Sequence, residues 1–193
     1  MIRFFKKFSI IILFIVIVGY LIPNNISSPI ELSSISQIDP ESFWYYPWGK
    51  SGVHKGIDIF CEENTDVISP VAGFVISKGY GTISGNYLYL IGPKWRTYYF
   101  AHLNSIDVSL GEFVNRGDII GKTGNTGNAL NAPTHLHFSI GTIFPYFWLY
   151  DSKHYQGWKK MFYLDPIKEL PFDVNKDSFL TSSPLNYLIF KHR

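Results

Sequence analysis

Val67-Ile-Ser-Pro-Val-Ala-Gly-Phe-Val-Ile-Ser77 opens a series of short apolar or β-branched runs separated by Gly, Pro and Asn turn residues. The series continues through Tyr87 to Ile91, Thr97 to Ala101, Phe113 and Val114, Ile119 and Ile120, and His137 to Ile140. Runs this short suit strands, and no stretch sustains a long helical periodicity, so the pattern predicts a mainly β, antiparallel domain. Gly92-Pro93-Lys94 is placed to connect two strands as a hairpin, and Arg116-Gly117-Asp118 reads as a tight strand-joining turn.

Outward from this core the chain divides into four parts. Residues 8 to 22 are an unbroken apolar run behind Arg3, Lys6 and Lys7. With Phe4 and Phe5 and snorkelling lysines, residues 1–23 read as a single transmembrane signal-anchor helix with its N-terminus in the cytoplasm. No A-x-A-like site follows it, which disfavours a cleaved signal peptide. The folded part is therefore expected at the cell membrane, single-pass, on the periplasmic or extracytoplasmic side. Residues 24–40, rich in Ser, Asn and Pro, read as a linker; 41–171 form the main domain, and 172–193 a C-terminal tail.

Net charge is +2 over 193 residues, and no basic stripe accompanies the aromatics, so no nucleic-acid partner is expected. The single cysteine, Cys61, excludes an intramolecular disulfide framework. In an extended chain its odd offset turns it away from His54 and Asp58, as a buried, inert thiol. Asp173-Val-Asn175-Lys-Asp177-Ser178 begins like a calcium loop, but lacks Gly at the sixth position and has Pro184 at the twelfth.

Four of the six histidines fall in three short stretches: His54-Lys-Gly-Ile-Asp58, Tyr99-Phe-Ala-His102-Leu103 and Thr134-His135-Leu-His137-Phe138. Gly56 argues against a helix for the first. In extended chain alternate side chains share a face, so His54 with Asp58, and His135 with His137, can each serve one ion. Catalytic zinc takes three ligands from His and Asp or Glu and keeps a fourth position for water. The set points to metal-assisted hydrolysis, with histidines left over to move protons near neutral pH. His154 and His192 lie outside these stretches and read as solvated.

These stretches, with Gly121-Lys-Thr-Gly-Asn-Thr-Gly127, resemble the lysostaphin-type zinc metalloendopeptidases that cleave peptidoglycan cross-links, from about Trp44 to Leu170. The resemblance implies one zinc ion held by His54, Asp58 and His137, with His102 and His135 acting on the water and the scissile carbonyl, and peptidoglycan as the partner. It leaves open which of the latter two is the general base. Ser69 to Val75 and Val114 to Gly121 also resemble the barrel-sandwich folds of biotinyl and lipoyl carriers, with Lys122 set in a turn. The rival readings are a non-catalytic wall-binding or hydrolase-activating module of the same fold, and a secreted peptidase acting on Gly-rich proteins. Residues 143–163 are unusually aromatic and read as an apolar lid on the sheet, or as a substrate wall or membrane-facing patch.

Overall fold

The computed structural model describes residues 2–173 and 175–181, with side chains from residue 7 onward. Among these residues one antiparallel sheet of 10 strands carries the domain. Its centre is β6 (Arg96–Ile106), which pairs with β5 (Gly85–Ile91) on one side and β9 (His135–Thr142) on the other. Beyond β5 lie β4 (Gly73–Gly81) and β7 (Phe113–Val114); beyond β9 lie β2 (Ile57–Phe60) and β1 (Gln37–Ile38). β8 (Ile119–Thr123) bridges the far end of β6 to β3 (Asp66–Ile68), and β10 (Tyr163–Leu164) caps β9. The mainly β expectation holds, and Gly92 closes the β5–β6 hairpin by donating to the Arg96 carbonyl.

Alternation decides which residues leave water. Ile57, Leu88, Leu90, Tyr98, Phe100, Leu136 and Phe138 are fully buried on one face. Each such apolar side chain contributes about 1.5–3 kcal/mol by leaving water. The run Val67 to Ser77 is two strands rather than one, because Ser69 and Pro70 break the ladder and Ser69 donates its amide to the Asp118 carbonyl. Arg116-Gly117-Asp118 is the expected turn, closed by Asp118 donating back to the Asn115 carbonyl. Lys122 lies within β8, not in a turn, and pairs with Asp66 at 2.6 Å.

Residues 24–40 differ from the expected linker. Ile30, Ile35 and Ile38 join the core, the amide of Ile68 donates to the Pro29 carbonyl, and Ser36 donates to Phe60. Ser, Asn and Pro dominate the composition here, yet the isoleucines between them find a hydrophobic seat. The aromatic segment 143–163 also differs from a lid. Phe147 and Trp148 are 71% and 76% exposed, while Tyr146 and Leu164 are buried.

The N-terminal helix α1 (Ile2–Leu21) forms as expected. No helix among the described residues is long and apolar enough to cross a membrane. α1 has 20 residues, about 30 Å at 1.5 Å per residue. Its C-terminal part rests on the β5–β6 hairpin, where the Trp95 indole donates to the Val16 carbonyl at 3.0 Å. In the tail, Phe172, Phe179 and Leu180 pack on the core, and Asp173 forms a turn with Asp177. Pro184 and His192 lie outside the described residues.

Candidate metal centre

The face of the sheet opposite the apolar core carries the polar stretches. In the β2–β9 ladder Asp58 sits opposite His137, and in the β6–β9 ladder Ala101 sits opposite His137 from the other side. Directly opposed residues share a face. This register sets Asp58, His137 and the small Ala101 side by side. Gly56 is what lets the chain reach that register, since a Cβ there would stand 2.3 Å from the Phe138 carbonyl oxygen.

His54 lies just before β2, buried, and swings in to meet the pair. Its Nε2 is 3.2 Å from Asp58 Oδ1 and 3.1 Å from His137 Nδ1, and His137 Nδ1 is 2.8 Å from Asp58 Oδ1. The candidate ligand atoms of these three residues all lie within 4.8 Å of one another. The tautomer of His54 follows from its other nitrogen, which faces the Ser42 carbonyl at 3.1 Å. A carbonyl only accepts, so Nδ1 carries the hydrogen and Nε2 offers its lone pair to the cluster. Two imidazole nitrogens and a carboxylate crowded this closely, and hidden from water, suit a cation between them.

His102 is brought to the same face by a defect in the sheet. Asn86 pairs with Leu103 and Leu88 with Phe100, so Ala101 and His102 together oppose one residue of β5. Strict alternation would send His102 to the apolar face. The bulge, with His102 at φ 64°, returns it to the cleft. Its Nδ1 lies 3.0 Å from the Thr126 carbonyl, and Thr126 is fixed in turn by Oγ1 donating to the Leu103 carbonyl at 2.8 Å. The loop reaches that place only because Gly127, at φ 72°, has no Cβ to strike the Gly85 amide nitrogen 2.2 Å away. His135 Nδ1 similarly lies 2.8 Å from the Pro133 carbonyl. Both histidines therefore hold their hydrogen on Nδ1 and present Nε2 as a base, with their rings 4.9 Å apart.

The surroundings tune these groups. Burial alone would raise the Asp58 carboxyl, but charges on His54 and His135 and hydrogen bonds from His137 and His54 hold it well below the usual carboxylate range. Burial, then the neighbouring His135 and His137, pushes His102 down to about 3. Burial is also the main cause lowering His137, against the pull of Asp58. At neutral pH Asp58 is thus ionised while His102 and His137 are neutral, the protonation states that a metal requires of its ligands and their neighbours.

His54, His102 and His137 line one cleft of about 470 Å³; Asp58 lies in the cluster with His54 and His137, and the His135 ring stands 4.9 Å from that of His102. His154 stays apart, paired with Asp151 on the surface, and Cys61 is a buried free thiol whose pKa burial raises. The sequence does not single out Trp48, whose ring stacks on His54 with centroids 4.1 Å apart and covers that imidazole. The run Ser42 to Trp48 signalled only a domain start. The carbonyls of Ser42, Thr126 and Pro133 carry no side-chain signature at all. Tyr89, Tyr99 and Tyr163 line the cleft, whereas Trp148 and Trp158 of the aromatic segment do not.

A cluster of His and Asp donors on an antiparallel sheet, facing an open cleft beside two further imidazoles, fits a metal centre of the β-sheet metallopeptidase type. Residues 52–144 match Peptidase family M23. Lysostaphin of Staphylococcus staphylolyticus is 35% identical over 96 residues, which cover 48% of this chain and 20% of that protein. The peptidoglycan DD-endopeptidase ShyC of Vibrio cholerae is 28% identical over 95 residues, covering 49% and 22% respectively. The chain thus matches about a fifth of the length of these curated relatives. The catalytic domain of the antimicrobial peptidase lysostaphin from Staphylococcus simulans superposes with a TM-score of 0.55 at 25% identity, covering 69% of this chain and 91% of that one. Residues 52–144 thus form a domain of the lysostaphin-type metallopeptidase family.

Proposed function

We propose that this chain is a membrane-anchored zinc metalloendopeptidase that hydrolyses peptide cross-links or stem peptides of peptidoglycan during cell-wall remodelling. The observation that carries the reading is the convergence of His54, Asp58 and His137 to within 4.8 Å beside two further histidines. In this reading those three hold one zinc ion, and His102 and His135 are catalytic. A relative named a peptidoglycan DD-endopeptidase supports the substrate. A wall-binding module of the same fold would need none of the five groups oriented this way.

A zinc ion held there supplies Lewis acidity toward a scissile carbonyl and a water molecule. The protein's part follows from the hydrogen bonds. The Ser42 carbonyl keeps His54 in the tautomer whose Nε2 faces the centre, and Trp48 keeps bulk water off that ring. Asp58 offsets one unit of the ion's charge and leaves the rest to stabilise a developing oxyanion. His102 and His135 are each held through Nδ1 by a carbonyl, of Thr126 and Pro133, which leaves Nε2 to take a proton. Whichever takes the proton becomes a donor and can pass it to the departing amine.

In this reading the anchor is the segment of residues 1–23, with 41–171 on the extracytoplasmic side of the cell membrane. Its support is the unbroken apolar run behind three cationic residues. The test of function is mass spectrometry of purified peptidoglycan incubated with the zinc-loaded protein. New amine and carboxyl ends in the peptide portion are expected, and they should vanish when a chelator removes the metal. Intact peptides after full loading would sink the proposal.

A further inference from the structure

Among the described residues the cleft is lined by two cationic side chains, Lys50 and Lys55, and by no carboxylate; Asp58 belongs to the cluster with His54 and His137. Lys55 is half-buried in the wall beside His54, and Lys50 stands exposed at the mouth. A third lysine is tied to the same wall through one carbonyl. Lys55 Nζ donates to the Ser51 oxygen at 3.0 Å, Gln156 Nε2 donates to it at 3.2 Å, and Lys159 Nζ donates to Gln156 Oε1 at 3.1 Å. None of the three has an ion-pair partner among the described residues. Elsewhere Lys122, Lys160, Lys168, Lys176 and Arg96 each face an Asp or Glu.

Like charges held near one another without a counter-ion destabilise the free protein, and an anion arriving between them relieves that cost. We propose that the cleft selects peptides bearing a free carboxylate beside the scissile bond, with Lys55 and Lys50 binding that carboxylate and Lys159 adding to the field. This rests on the peptidase reading above and narrows its substrate to anionic stem peptides rather than neutral glycine bridges. Lys55 has two ammonium hydrogens left after its bond to Ser51, and its partial burial strengthens a charge-assisted bond made there. No existing ion pair has to break first.

The experiment compares two synthetic cross-linked peptides, identical except that one carboxylate is present as the acid or as the carboxamide. The zinc-loaded full chain should cut the acid with kcat/KM higher by about tenfold or more, carried by KM. In Lys55→Gln and in Lys50→Gln that preference should shrink toward parity. Lys50→Gln is the second arm because Lys55 also holds the Ser51 carbonyl, so Lys55→Gln could disturb the loop. Equal rates on the two peptides, or a preference that survives in both variants, would overturn the inference. If neither peptide is cut, the hydrolase reading fails, and calorimetric titration of the same peptides decides the lysine inference separately. Tighter binding of the acid supports it, and equal affinity overturns it.

Discussion

At the residue scale, the five polar side chains of the cleft are distinguished by what their second nitrogen or oxygen touches. His54, Asp58 and His137 point at one another, so replacing any of them by Ala should lower bound zinc as read by elemental analysis. His102 and His135 point at the cleft from carbonyl supports, so His102→Ala and His135→Ala should keep the metal and lose roughly 100-fold to 10,000-fold in rate. Full activity in either of the latter would remove them from the chemistry. His102 also makes stability depend on pH, because burial holds it down to about 3 from an ordinary 6.5. Below 6.5 the unfolded chain takes up a proton that the folded chain refuses, so this contribution is complete above about 6.5 and lost as pH falls towards 3. In metal-free protein the melting temperature should fall across that window, and His102→Gln should flatten the fall.

At the element scale, what the sequence showed and what it hid have separate physical causes. Alternation in β6 and β9, and the pair His135 with His137, were legible because a period of two survives in a regular strand, whereas His54 reaches Asp58 from outside β2. His102 reaches the same face only through a bulge, which no residue pattern in Tyr99-Phe-Ala-His102 announces. The support for that bulge lies in the Gly-Asn-Thr-Gly loop, whose role is visible only once Gly127 is seen against Gly85. Gly127→Ala should therefore lower stability by more than about 1 kcal/mol and reduce hydrolysis further than stability alone explains; calorimetry and rate measurements on one sample separate the two. Residues 24–40 read as a linker in sequence because Ser, Asn and Pro outnumber the three isoleucines that the core absorbs. Ile30→Ala and Ile38→Ala should each cost about 2–5 kcal/mol in chemical denaturation, as core truncations do. Values near zero would restore a free linker.

At the scale of the whole molecule, the packed state of residues 24–40 changes how far the domain can stand from the end of α1. A flexible coil of that length would average about 20–25 Å between its ends. Here the chain instead turns onto the domain at once: Tyr98 donates its hydroxyl to Asn24 Oδ1 at 2.9 Å, and Ile26 packs against the core. Trp95 sits against α1 where Gly19 has no side chain, for a Cβ there would fall 2.2 Å from the indole nitrogen. With the proposed anchor in a bilayer, the cleft is carried close to the membrane surface. The protein should fractionate with membranes and keep its first residues. Protease added outside spheroplasts should spare residues 24–40, because they are folded. A soluble product beginning beyond residue 22 would refute the anchor while leaving the metal centre untouched. Gly19→Leu gives the structural counterpart: a side chain at that position must push Trp95 off the helix. Trp95→Phe, compared with and without Gly19→Leu, should show a tryptophan emission shift only where the indole is present to be displaced. An unchanged spectrum in the Gly19→Leu protein would mean that helix and domain do not hold this contact in solution.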